Sequence, residues 1–61
     1  MKVRDLIKEV ERDGWTHVRT TGSHRHFRHP SKEGTVTIPG HPGDDLAKGT
    51  EMSIRKQAGL K

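Results

Sequence analysis

The sequence contains no cysteine and no tyrosine, and its aromatic residues are limited to Trp15 and Phe27. No disulfide can form, so stability must come from packing. Apolar residues make up only 26% of the 61 positions, which predicts a thin core. A chain of this length is expected to form a single domain, residues 1–61. Such a domain buries only about 60% of the surface its unfolded chain exposes. A core of this size supplies roughly 3–5 kcal/mol unless something reinforces it. A partner chain or a second copy is a reasonable source of additional stability. Continuous apolar runs are also missing. No segment reaches the length of a bilayer span, and the first residues mix charged and apolar side chains instead of forming a signal peptide. The lack of cysteine agrees with a reducing compartment. A cytoplasmic protein with no membrane contact is therefore expected. Repeats and low-complexity tracts are absent as well.

Charge is abundant. Twelve Lys and Arg stand against eight Asp and Glu, a formal charge of +4, and five histidines can add to it below neutral pH. A positive balance on so short a chain favours polyanions through phosphate contacts and counterion release. It is equally compatible with a well-solvated surface, because net charge speaks to association and not to a specific activity.

Val3, Leu6, Ile7 and Val10 recur at helical spacing, which predicts an amphipathic helix over residues 3–12 closed by Asp13-Gly14. Trp15 to Thr20 has strand-forming composition, Thr21-Gly22 reads as a turn, and a second strand is expected from Ser23 to His29, stopped by Pro30. Strand parity separates His24, His26 and Arg28 from Arg25, Phe27 and His29. Phe27 belongs to the core, so His24 and His26 should point away from it. Residues 35–38 form a short third strand, and Pro39-Gly40-His41-Pro42-Gly43 must be loop. A final helix begins between Leu46 and Thr50 and ends at Ala58-Gly59, with Ala47, Thr50, Ile54 and Ala58 expected on its buried side. The fold class is α+β: an α-β-β-β-α order, a three-stranded antiparallel sheet with two helices on one face and a polar face rich in His, Arg and Thr left open.

Several short motifs fall in order along this frame. They are Asp13-Gly14-Trp15 after the first helix, Arg19 in the first strand, Gly22-Ser23-His24 at the second, and Phe27. Pro39 and His41 follow the third strand, and Gly49-Thr50, Ile54 and Gln57-Ala58-Gly59 close the set. Together they resemble the HicA toxins, small bacterial ribonucleases paired with a HicB antitoxin. The resemblance covers about residues 3–60. It implies a fold like that of double-stranded-RNA-binding domains, in agreement with the element order. It also implies that His24, the histidine of the Gly-Ser-His motif, is catalytic. The expected activity is that of an mRNA interferase, an endoribonuclease toxin that needs no metal, and the expected partners are an RNA substrate and a HicB-like antitoxin, in a hetero-oligomer with it. One departure stands out: relatives place a leucine after the Gly-Thr pair, where this chain has Glu51.

The chemistry is consistent with that implication. RNA carries its own nucleophile, and a base that takes the 2′-hydroxyl proton lets that oxygen attack the adjacent phosphorus. Histidine suits this task because it titrates near operating pH. Charge on the phosphorane needs cations or donors, for which Arg25, His26, Lys48, Arg55 and Lys56 qualify by sign. Ser23 can orient His24 or bind phosphate. The leaving 5′-oxygen needs an acid, with His26 and His41 as candidates; His41 can equally shape its loop. His17 and His29 read as solvated surface groups. Trp15 can stack on a base, but a domain with two aromatics is expected to bury it. His24 and His26 lack further ligands at metal-binding spacing, so no metal or other cofactor is expected. Each role has a plainer counterpart in an exposed polar side chain. A non-catalytic RNA-binding module of the same fold is the alternative, and a basic interaction protein that docks an acidic partner is a third reading.

Overall fold

The computed structural model of the chain describes residues 1–60, and Lys61 lies outside them. The elements are α1 (Val3–Arg12), β1 (Thr16–Thr21), β2 (His24–Arg28), β3 (Val36–Ile38) and α2 (Lys48–Ala58). The strands form one antiparallel sheet in the order β1-β2-β3. Both helices send apolar residues to the same side of it. Val3, Leu6 and Val10 of α1 and Ile54 and Ala58 of α2 close over Phe27, Val36 and Ile38, with Trp15 at the margin. No helix of the described residues is long and apolar enough to cross a membrane.

The Pro-Gly-rich loop is irregular, as expected, but it has a definite task. Lys2, the N-cap of α1, makes no side-chain cap, and orphan amides at a helix start need acceptors. The loop supplies them: the Val3 amide donates to the Asp44 carbonyl at 2.9 Å and the Arg4 amide to that of Pro42 at 3.0 Å. The Leu46 amide returns to the Met1 carbonyl at 2.9 Å, which pins the loop's far end to the chain start.

The hairpin boundary shifts slightly from expectation. Thr21 belongs to β1 and pairs with His24, so the connecting turn is Gly22-Ser23. Gly22 has φ +60°, and two-residue hairpin loops favour positive φ at their first position. Near the other end of β1 the register jumps between His17 and Arg19, which leaves Val18 as a bulge, half exposed.

Three burial expectations need correction. Ala47 and Thr50 are exposed; the buried positions of α2 are Ile54 and Ala58. His29 is not a solvated surface group, for its side chain is only 9% exposed. Its ring packs edge-on against Trp15 at 5.3 Å. The Ser31 amide donates to Nδ1 at 3.1 Å, so the proton resides on Nε2, which donates to the Asp13 carbonyl at 2.8 Å. His29 thereby braces the turn after α1. Gly14 stands at φ +109°, and a Cβ there would meet His29 Nε2 at 2.7 Å. Gly14→Ala is expected to destabilise the domain by more than about 1 kcal/mol, because strain and overlap both act against it. Urea unfolding checks this. A midpoint equal to that of the unaltered chain would contradict it.

Glu51 stands where the resemblance expects leucine, and the fold accommodates it by ion pairing. Arg55 Nε donates to Glu51 Oε2 at 2.8 Å, while its two terminal nitrogens reach Glu9 of α1 at 3.0 and 2.8 Å. One guanidinium thus joins the two helices across a half-buried seam. The Arg55 hydrogen bond holds the Glu51 carboxyl below its ordinary value of 4.5. Lys32 Nζ, 2.6 Å from Asp13 Oδ2, likewise holds that carboxyl below 3.8. Each group binds a proton more readily unfolded than folded. Their contribution to stability is therefore complete above the unfolded values and is lost as pH falls from about 4.5 through the lowered folded ones. Thermal unfolding midpoints should drop between pH 5 and pH 3, less steeply in Glu51→Gln. Identical slopes in the two proteins would contradict the assignment.

Candidate active site

The tight Gly22-Ser23 turn places His24 as the first residue of β2. Its parity is opposite to that of buried Phe27, and it is exposed as expected. It faces an open groove of about 400 Å³. Thr37 and Pro39 line the groove with His24 on the sheet side, and Gly49, Thr50, Ser53, Ile54 and Gln57 line it from α2. Packing explains why α2 can serve two surfaces. The helix lies alongside β3, so Ile54 and Ala58 enter the core while the polar stripe at 50, 53 and 57 turns to the groove.

Among the described residues, no hydrogen bond engages the side chains of His24, Thr50, Ser53 or Gln57. The His24 ring therefore keeps an acceptor nitrogen available. His26 differs. Its Nδ1 lies 3.0 Å from Thr37 Oγ1 and its Nε2 3.3 Å from Thr21 Oγ1, so both nitrogens are occupied by threonine hydroxyls. It does not line the groove and works as a fixed strut beside His24.

The remaining sequence candidates separate by position. Ser23 is half-buried and adjoins His24 in the turn. Lys48 is exposed at the start of α2, next to Gly49 on the groove wall. Lys56 is exposed in the last turn of α2 and does not line the groove. Arg25 shares the parity of Phe27, is half-buried, and donates to the Gly40 carbonyl at 3.3 Å, so it secures the turn after β3. Arg55 is held by Glu9 and Glu51, away from His24. His41 is 79% exposed; its amide donates to Asp44 Oδ2 at 3.0 Å and its ring lies 3.6 Å from the same carboxylate. That arrangement shapes the loop. Among the described residues no three His, Asp or Glu side chains gather as a metal site would require.

The α2 wall was missed in the sequence reading. The spacing of Thr50, Ser53 and Gln57 marks one helical stripe, and it was available as a signal. It carries little weight in sequence because Thr50 also falls at core spacing with Ile54 and Ala58.

The start of α2 adds a feature that charge counting does not show. Ala47, its N-cap, makes no side-chain cap, and the first internal helix bond is Glu51 N–H to the Ala47 carbonyl. Among the described residues the amides of Lys48, Gly49 and Thr50 thus have no acceptor, Gly49 and Thr50 line the groove, and helix starts attract anions. A smaller hollow, about 270 Å³, lies between Glu9, Arg12, Asp13 and Leu60 and carries two carboxylates beside one guanidinium.

Comparison with known proteins agrees with the fold. Residues 3–60 match the family model described as the HicA toxin of bacterial toxin–antitoxin systems. A chain in a toxin–antitoxin complex from Streptococcus pneumoniae is 34% identical, covers 98% of each chain and superposes with a TM-score of 0.82. A chain of a HicA3 and HicB3 toxin–antitoxin complex is also 34% identical, over 100% of this chain and 97% of that one, with a TM-score of 0.79. No curated protein matches the sequence.

Proposed function

The chain belongs to the HicA toxin family, and from that premise we propose that it is an endoribonuclease toxin in which His24 is the catalytic base. One observation carries the reading: the ring of His24 makes no hydrogen bond within the described chain and faces a groove whose opposite wall presents free helix-start amides. A phosphodiester seated at Gly49 and Thr50 would bring its ribose towards His24. The imidazole takes the 2′-hydroxyl proton, the 2′-oxygen bonds to phosphorus, and the bond to the 5′-oxygen breaks. Lys48 and the α2 amides stabilise the added negative charge. The 5′-oxygen takes its proton from water in the open groove. No metal enters these steps, because the substrate supplies the nucleophile. In the two similar complexes the toxin chain is bound with an antitoxin. A HicB-like antitoxin that covers the His24 groove would hold this chain inactive.

One observation favours the non-catalytic RNA-binding reading. Neither His26 nor His41 lines the groove, so a second histidine acid is missing from its walls. Incubation of the purified chain with single-stranded RNA in EDTA separates the two. Cleavage is expected; salt-sensitive binding without cleavage across several RNA sequences would favour the binding module.

A further inference from the structure

The groove continues past the position suited to phosphate, and the character of its α2 wall changes along its length. At the start of the helix the wall is Gly49 and Thr50, whose backbone amides have no partner among the described residues, with Lys48 adjoining. One to two turns further on it offers Ser53, Ile54 and Gln57, which carry no charge. Pro39 faces them from the sheet side. Ser53 and Gln57 have hydroxyl and carboxamide groups without partners among the described residues, and Ile54 and Pro39 add apolar surface. Such a set suits an uncharged, flat molecule with hydrogen-bonding edges far better than another phosphate. Nucleobases have that form. From Gly49 to Gln57 the helix rises ~12 Å, the reach of one nucleotide from its phosphate to the edge of its base. The volume, about 400 Å³, lies in the range of small-molecule clefts, enough to receive one base.

We infer that Ser53 and Gln57, with Ile54 and Pro39 as apolar walls, form a subsite that receives one unpaired base beside the cleaved bond and sets which base is preferred there. This rests on the nuclease reading for its place in the reaction. Its chemistry, recognition of a splayed-out base by hydrogen bonds to its edges, is the way single-stranded RNA is read in sequence. The toxin would then be selective at one nucleotide and would act on single-stranded regions.

Two assays test the inference. In the first, the intact chain and the Ser53→Ala, Gln57→Ala and double variants cleave a single-stranded RNA of randomised sequence, and base frequencies beside the cut are counted. The intact chain should prefer one or two bases at one flanking position, and the double variant should reduce that preference about tenfold, the effect of losing one or two neutral hydrogen bonds. In the second, short oligoribonucleotides differing at one base are bound to His24→Ala and to His24→Ala carrying the same two substitutions, followed by fluorescence anisotropy. Base-dependent affinity should be present in the first and flattened in the second. This arm needs no cleavage, so an inactive but base-selective chain would sink the nuclease reading and leave the subsite standing. Cleavage whose base preference is unchanged in the double variant would overturn the subsite, as would cleavage with no preference in the intact chain. Equal affinity for all the oligoribonucleotides in the second assay would overturn it too. Both substitutions lie on the exposed face of a helix and alanine favours helix, so folding should be retained.

Discussion

Substitution of His24 by alanine is expected to lower RNA cleavage by about 10²–10⁴-fold, the usual contribution of a positioned general base. Stability should stay within about 0.5 kcal/mol of the unaltered chain, because the side chain is exposed and bonds to no neighbour within the described residues. The two halves of this expectation belong together. Loss of activity with an unchanged unfolding midpoint assigns the effect to the imidazole and not to the strand that carries it. The groove should still bind RNA, since its amides and Lys48 are untouched. Cleavage assays and urea unfolding of the same preparation check both halves, and a variant with full activity would remove His24 from the reaction.

Phe27→Ala is expected to unfold the domain. Phe27 is fully buried in β2, the middle strand, where it pairs with His17 of β1 and Val36 of β3. The His17 ring covers it edge-on at 5.5 Å. Truncating a buried phenylalanine costs about 3–5 kcal/mol. A core this small provides roughly that much in total. Far-ultraviolet circular dichroism should therefore show a largely unfolded chain at 25 °C, with cleavage lost for lack of a β2 to hold His24. Ile38→Val, which removes one methylene from the same core, should cost only about 0.5–1.5 kcal/mol and keep the fold. A folded Phe27→Ala protein with a midpoint near that of the original would show that the core is deeper than nine buried apolar residues suggest.

The helices and strands were legible because the chain repeats its apolar residues at clean periods. Val3, Leu6 and Val10 specify α1, and the parity of Phe27 against His24 specifies the faces of β2. His24 emerged from motif order and not from periodicity, since one exposed histidine looks like another in sequence. Long-range pairing set what was illegible. His29 appears polar and exposed until the turn after α1 closes onto it. Arg55 appears to be a free cation until α1 brings Glu9 to it across 46 positions of sequence. Glu51 makes sense only once that pair exists, because it takes the other side of the same guanidinium. The groove was hidden for the same reason. Its two walls come from β2–β3 and from α2, and only the packing of α2 along β3 makes Ser53 and Gln57 neighbours of His24.

The ends of the cleaved RNA decide most directly whether His24 acts on a ribose hydroxyl. Mass spectrometry of fragments produced by the intact chain in EDTA should find a 2′,3′-cyclic phosphate on one side of the cut and a 5′-hydroxyl on the other, since the 2′-oxygen replaces the 5′-oxygen on phosphorus. Fragments ending in a 3′-hydroxyl and a 5′-phosphate would mean that water attacked instead, and the role given to His24 would be wrong.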